Sequence, residues 1–330
     1  MTTATASTSS PRVQPTVGGL HHVTAITADA QRNIDFYTGA LGLRLVKVTV
    51  NYDDPSSYHL YYGDGLGRPG TVMTFFAWPH GRPGRTGVGQ VSETALGIPV
   101  GGRNYWQQRL AGAGATEIEQ SSRFDSPILT FRDPDGLALS LVETPDLADL
   151  HRWHHSEVPA EWAIRGFHSV ALLENDNADP AAILVDRFGY HQAAIDGARV
   201  RYVLGQTGVA RTVDVVVTDA QTLPATGAGQ VHHVAFRTPD DEQQQHWLEL
   251  LLKEGRRVSP VMNRDYFHSI YFREPGGVLF EIATEGPGFT LNEPAEALGT
   301  HLMLPQGLES QRSAIEASVP AIRFPGPMGP

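Results

Sequence analysis

The chain repeats itself, and the repeat limits its architecture more than any other feature. Gly19–Asp29 reads GLHHVTAITAD and Gln230–Asp240 reads QVHHVAFRTPD, each an adjacent histidine pair at the head of a β-rich run. Each run leads into a segment with helical spacing. The first is Ala30–Ala40, with Ile34, Phe36 and Tyr37 apolar; the second is Asp240–Lys253, with Trp247, Leu248, Leu251 and Leu252, stopped by Gly255. A second echo closes the units. Arg132-Asp133-Pro134-Asp135-Gly136 runs into LALSL, and Arg273-Glu274-Pro275-Gly276-Gly277 into VLFEI, each a turn feeding an apolar strand. Together the echoes predict four units of strand, helix and three strands, over residues 18–80, 92–144, 165–219 and 230–285, with helices near 30–40, 102–112, 179–188 and 240–254. Helices segregated to one face of mixed sheets make the fold class α+β.

At 330 residues the chain is long enough for two domains of about 150 residues each. The expected division is a disordered tail over 1–17, an N-terminal domain of two units over 18–144, a linker over 145–164, a C-terminal domain of two units over 165–285, and a tail over 286–330 with one helix near 308–317. The Gly- and Pro-rich stretch 79–90 reads as a surface loop. No apolar run of secretory or membrane-spanning length occurs, so the cytoplasm is the expected compartment. A formal charge of −11 argues against nucleic acid and anionic membrane as partners.

With no cysteine, disulfides, thiolate metal sites and Cys nucleophiles are excluded, and any metal must sit in a shell of histidine and carboxylate. The two histidine pairs occupy equivalent positions in their units. Neighbouring side chains on a regular strand point to opposite faces, so at most one of His21 and His22, and one of His232 and His233, can reach a given ion. Glu281 lies in the middle of an apolar strand, where a carboxylate is costly unless paired or bound to metal. Aligning the unit ends puts Ser140 and Thr74 at the corresponding positions of units two and one, so unit four alone has both a leading histidine and this glutamate. Two imidazoles and one carboxylate form the facial set typical of non-haem Fe(II) oxygenases, which leaves three coordination positions open for an oxygenated substrate and O₂.

On these residues the chain resembles the vicinal oxygen chelate (glyoxalase/bleomycin resistance/dioxygenase) superfamily. The runs LHHVTAI, FYTGALGLRLVKVTVNYDDPSSYHLYYGDGLGRPGTVMT, RGFHS, VHHVAF and NRDYFHSIYFREPGGVLFE are similar to its hydroquinone-cleaving branch over roughly residues 18–305. The resemblance implies four βαβββ modules in two cupped mixed sheets, units one and four sharing the metal and units two and three pairing with each other. It implies His22, His233 and Glu281 as ligands, and His21, His232, Arg264 and Tyr271 as residues behind the ligands or against the substrate. It also implies Fe(II), with Mn(II) suited to the same shell, a small aromatic diol and O₂ as partners, and a homo-oligomer. His232, backed by His21, is expected to move protons near a neutral pKa, and Arg264 and Tyr271 to steady oxyanion charge.

Other readings stand beside this one. In the catechol-cleaving extradiol enzymes the first ligand comes from unit three, which here gives His168 with His233 and Glu281. A glyoxalase-type isomerase would use a second carboxylate where Thr74 stands, and an aromatic-binding relative would have lost its ligands. The cluster His151, His154 and His155 reads as solvated linker, GDGLGRPG as a turn rather than a phosphate loop, and Phe75, Phe76 and Trp78 as core or cavity lining. Nothing in the sequence fixes the direction of His59 or His268.

Overall fold

The computed structural model describes residues 15–145, 152–206 and 208–324. All four expected units are present. Unit one comprises β1 (Leu20–Thr27), α1 (Ala30–Ile34) continuing as a π-helical segment over Asp35–Ala40, β2 (Arg44–Asn51), β3 (Asp54–Gly63) and β4 (Val72–Ala77). Unit two comprises β5 (Gln90–Ile98), α2 (Arg103–Ala111), β6 (Thr116–Arg123), β7 (Ser126–Arg132) and β8 (Ala138–Glu143). Unit three comprises β9 (Phe167–Glu174), α3 (Ala178–Asp186), β10 (Tyr190–Asp196), β11 (Arg199–Leu204) and β12 (Thr212–Val217). Unit four comprises β13 (Gln230–Thr238), α4 (Asp241–Lys253), the two-residue β14 (Met262–Asn263), β15 (Phe267–Arg273) and β16 (Leu279–Pro287).

The aspartates that close the two echoed runs are helix caps. Asp29 accepts from the Arg32 amide at the start of α1, and Asp240 from the Gln243 amide at the start of α4. Asp241 and Glu242 then sit in the first turn of α4, where the helix dipole favours negative charge. Gly255, at φ +75°, takes the left-handed conformation just past the end of α4.

The strands form two eight-stranded mixed sheets. One runs β14-β15-β16-β13-β1-β4-β3-β2 and the other β10-β11-β12-β9-β5-β8-β7-β6. Units four and one therefore make the first sheet, and units three and two the second, each joined by a central antiparallel seam, β1 with β13 and β5 with β9. The main apolar core draws on every unit, with Tyr37, Phe75, Trp106, Leu141, Leu172, Tyr202, Trp247 and Phe280 buried in one cluster. A separate cluster, with Val46, Tyr61, Val72, Ala235, Phe267 and Phe289, belongs to the first sheet and the segment that follows it.

After residue 287 the chain folds back over the first sheet in three short 3₁₀ turns and α5 (Arg312–Ser318), which corresponds to the helix expected near 308–317. The buried Lys47 ammonium on β2 is paired with Glu293, hydrogen-bonds Asn292 Oδ1 at 2.8 Å and lies over the Tyr266 ring, fastening this segment in place. The expected N-terminal tail ends earlier than residue 17. Val17 is buried, and the Thr16 carbonyl accepts from Trp247 Nε1 and Thr238 Oγ1; residues 1–14 lie outside the described set. Among the described residues no helix is long and apolar enough to cross a membrane.

Candidate metal centre

The seam between β1 and β13 is not regular, and its two irregularities fall on the histidine pairs. In β1, Leu20 faces Phe236 and His22 faces Ala235, so His21 is an extra residue. In β13, Thr24 faces His233 and Ala25 faces Val231, so His232 is the extra one. Each strand thus carries a β-bulge at the first histidine of its pair. A bulge bends its strand and re-aims the side chains beside it. Neighbouring rings that a flat strand would send to opposite faces come together: His21 Nδ1 lies 2.9 Å from His22 Nδ1, and His232 Nδ1 lies 2.8 Å from His233 Nδ1.

These contacts orient the inner rings. His21 Nε2 lies 3.1 Å from the Thr284 carbonyl, which can only accept, so Nε2 carries the proton. Burial first, and then His22, lower the His21 pKa to about 3, so the ring is neutral and its Nδ1 is an acceptor. His22 Nδ1–H then donates to it, and His22 Nε2 presents a lone pair. We assign His233 the same tautomer, with Nδ1–H donating to His232. The two bare Nε2 atoms meet Glu281 Oε2. The edges of this triangle are 3.3 Å between the imidazoles, 3.2 Å from His22 to the carboxylate and 2.9 Å from His233 to it. Ligands at neighbouring corners of an octahedron with bonds of about 2.1 Å lie about 3 Å apart, so the residues fit a six-coordinate divalent ion. The ligating atoms of His22, His233 and Glu281 all lie within 4.8 Å of one another, and all three residues are buried.

Electrostatics agree with the geometry. Burial alone would raise the Glu281 pKa, but the imidazoles of His22 and His233 overcome it and hold the carboxyl well below its ordinary range. Its other oxygen, Oε1, accepts from Ser269 Oγ at 2.5 Å. Ser269 and Tyr271 are two residues apart on β15 and face β16, where Tyr271 pairs with Glu281. Between His22 and Glu281 in the same row lies Ala235, fully buried, whose single methyl leaves the space above β13 open.

The triangle borders a cavity of about 270 Å³. Phe76, Trp78 and Phe267 give it aromatic walls, and His59, Tyr61, Arg264 and Tyr271 give it polar ones. Arg264 Nε donates to the Tyr271 hydroxyl at 3.3 Å, and the Tyr271 ring lies 5.6 Å from that of His233. Asn51, the last residue of β2, and Tyr52 after it also line the cavity, and Tyr52 donates to Asp265 at 2.8 Å.

All seven expected site residues therefore gather at one place, but one property differs from expectation. Although His232 keeps exposed surface, desolvation of its ring and then His233 lower its pKa to about 3 rather than leaving it near neutrality. Along β4 and just past its end the side chains alternate, Phe75 entering the core while Phe76 and Trp78 line the cavity. His268 points away from the cavity and pairs with Asp241 at 2.6 Å. The GDGLGRPG run is a turn in which Asp64 Oδ1 accepts from the amides of Leu66, Gly67 and Arg68. His154 and His155 are exposed in a turn, and His151 lies outside the described residues. Sequence reasoning missed Ser269, Tyr61 and the direction of His59. A two-residue step back from Tyr271 would have found Ser269 on the same strand face.

The alternative ligand set with His168 is not assembled, because His168 belongs to the other sheet. The second seam repeats the first. His168 is the extra residue where Ala95 faces Ser169 and Leu96 faces Phe167, so His168 corresponds to His232 and Ser169 to His233. Strand register also bears out the alignment of Thr74, Ser140 and Glu281, which pair with Thr24, Ala95 and Ala235. Asp214, which pairs with Ala171, is the counterpart of Glu281 in unit three. In this second sheet guanidinium groups meet the carboxylates: Arg123 lies 2.5 Å from Glu93, and Arg201 grips Asp214 at 2.8 and 2.9 Å.

The model of the glyoxalase/bleomycin resistance protein/dioxygenase superfamily matches residues 19–141 and again 148–282. MhqO of Bacillus subtilis (strain 168), provisionally named a ring-cleaving dioxygenase, is 42% identical over 300 residues, spanning 90% of this chain and 94% of its own. A Sphingobium indicum protein named chlorohydroquinone/hydroquinone 1,2-dioxygenase is 37% identical over 306 residues, 91% of this chain and 95% of its own. Among solved structures, a B. subtilis protein provisionally named a dioxygenase superposes with a TM-score of 0.89 at 40% identity, covering 94% of this chain and 98% of that one. Glyoxalase I from Zea mays superposes with a TM-score of 0.58 at 16% identity over 81% of this chain and 92% of that one, a likeness of fold alone. The family match over both halves, with relatives of this identity along nearly the whole length, establishes that the chain belongs to the glyoxalase/bleomycin resistance protein/dioxygenase superfamily.

Proposed function

We propose that the protein is a non-haem Fe(II) ring-cleaving dioxygenase acting on a hydroquinone-type para-diol, with His22, His233 and Glu281 as the metal ligands. The observation that carries this reading is the buried triangle of two imidazole nitrogens and one carboxylate oxygen, bordering an aromatic-walled cavity. The names of the curated relatives point the same way. A bound Fe(II), or Mn(II) in the same shell, would supply Lewis acidity towards a substrate hydroxyl and a place to engage dioxygen.

The remaining roles fall to the chain itself. His21 and His232 fix the tautomers of the two ligand histidines, and Ser269 fixes the carboxylate rotamer. Phe76, Trp78 and Phe267 hold an aromatic ring and exclude water. Arg264, braced on Tyr271, places positive charge and a hydroxyl where a substrate oxygen becomes negative. Thr74 is neutral and hydrogen-bonded to Thr24, so it adds no second carboxylate of the kind a glyoxalase-type isomerase would use. The same reading includes an aromatic diol and O₂ as partners, a cytoplasmic setting and a homo-oligomeric assembly, without nucleic acid or membrane.

The test is anaerobic reconstitution with Fe(II), followed by oxygen uptake over a panel of para- and ortho-diols. Uptake with hydroquinone, lost in Glu281→Gln, is expected. Full uptake by Glu281→Gln, or none by the native protein with any diol, would sink the reading.

A further inference from the structure

The proposed function leaves one polar feature of the cavity unused. On β3, His59 and Tyr61 are two residues apart and both line the cavity. They end a continuous hydrogen-bonded chain. The Tyr61 hydroxyl lies 2.8 Å from His59 Nδ1, His59 Nε2 lies 2.8 Å from Thr74 Oγ1, and Thr74 Oγ1 lies 2.8 Å from Thr24 Oγ1. Tyr61, Thr74 and Thr24 are buried. Strand register sets them in one row with a candidate ligand: His233 on β13 faces Thr24 on β1, Thr24 pairs with Thr74 on β4, and Thr74 pairs with Tyr61 on β3.

We infer that Tyr61, held by His59, anchors the second hydroxyl of a para-diol at the end of the ring remote from the metal centre. This rests on the dioxygenase reading above and extends it to the shape of the substrate. Strands β1 and β3 are two strand spacings apart, about 9–10 Å, with β4 between them. Groups standing on β1 and β3, and still more an ion above β13, are therefore separated by far more than one bond. Adjacent hydroxyls of an ortho-diol would both lie near His22, His233 and Glu281, out of reach of Tyr61. Hydroxyls on opposite ring carbons would meet the metal centre with one and Tyr61 with the other.

The chain also suits the anchor to its task. Both partners of His59 are hydroxyls, so either tautomer satisfies it. With the Tyr61 O–H donating to His59 Nδ1, the phenol oxygen offers a lone pair to the cavity. With His59 Nδ1–H donating instead, the Tyr61 O–H turns to the cavity. Burial raises the Tyr61 pKa and lowers that of His59, so both stay neutral and add no charge to the cavity. In this scheme Tyr61 touches substrate, and His59, Thr74 and Thr24 are positioning residues.

The experiment is anaerobic calorimetric titration of the Fe(II)-loaded and the metal-free protein with hydroquinone, phenol and catechol. Hydroquinone should bind the native protein about tenfold more tightly than phenol, the size of effect one hydrogen bond gives. Tyr61→Phe keeps the ring packed against Tyr266 and Phe289. It should bring hydroquinone down to the phenol value while leaving phenol unchanged. His59→Leu should do the same, and His59→Gln, whose amide can serve both hydroxyls, should restore most of the difference. A Tyr61→Phe protein that weakens phenol and hydroquinone alike, or a native protein that does not separate hydroquinone from phenol and catechol, overturns the inference. Should His59→Leu fail to fold, the Tyr61→Phe arm decides alone. Oxygen uptake is scored separately: its absence with every diol sinks the dioxygenase reading, and the binding ratios still judge the anchor.

Discussion

Ala235 offers the sharpest test of where a cation sits. Its methyl lies in the row between His22 and Glu281, two residues along β13 from His233 and on the same face. The three ligating atoms stand 2.9–3.3 Å apart, so the middle of their triangle is within bonding distance of a small cation. It is far inside the 3.5–4.0 Å that a carbon atom needs from its neighbours. Ala235→Leu would put branched carbons into that space. As a core over-packing it should cost about 1–3 kcal/mol of stability, a loss a folded two-sheet protein can absorb. As an obstruction it should lower metal affinity at least 100-fold, or about 2.7 kcal/mol, since the ligands cannot close around the ion. Ala25→Leu is the control, an enlargement of equal size directed into the main core instead. Urea unfolding should show similar losses for both variants. Competition against a chromophoric chelator should show lost Fe(II) or Mn(II) binding for Ala235→Leu alone. Native-like metal affinity in Ala235→Leu would refute the placement of the ion above β13.

Three further outcomes follow from particular contacts. His21→Phe keeps an aromatic ring in the bulge but removes the acceptor that orients His22, so metal affinity should fall about 10–100-fold by chelator competition; unchanged affinity would show that the Nδ1 contact does not hold the ligand. Lys47→Met leaves the Glu293 carboxylate buried beside an apolar stem, at a cost of about 3–5 kcal/mol in urea unfolding, and adding Glu293→Gln should recover most of it; equal stability of the single and double variants would contradict a buried pair there. Burial and then the neighbouring Glu274 raise the Glu174 pKa to about 8. The folded protein favours the protonated carboxyl, so its stability is fully present below the ordinary carboxylate range and declines as pH climbs to about 8. Stability measured from pH 5 to 9 should therefore fall up to about pH 8 and level off above it, and Glu174→Gln should flatten the fall. A native protein with a flat profile across that range would count against the raised Glu174 pKa.

Much of this architecture could be read before any coordinates. The two echoed runs located the unit starts, and their closing aspartates turned out to be helix caps because a short side-chain acceptor before an apolar-periodic segment has few other uses. Glu281 drew notice because a carboxylate in an apolar strand needs a reason. The bulges escaped, since an extra residue is defined only against the partner strand, and that partner lies about two hundred positions away. For the same cause strict alternation seemed to part His21 from His22. Ser269 and Tyr61 carry no distinctive local signal; their roles come from which strands flank theirs. The second sheet could not be told from the first until strand pairing matched Glu93, Ser169 and Asp214 to His22, His233 and Glu281 as counterparts.

The bulged seam has a further consequence, for synthesis. β1 finds β4 within its own unit, but its other edge waits until residues 230–238 have been made, while β5 meets β9 after far fewer. A finished strand with a bare edge invites pairing with foreign chains during that interval. The bulge at His21 lies on that waiting edge and forms only when β13 pairs with it. The seam that aims two imidazoles in the mature protein therefore closes only after three of the four units have been made.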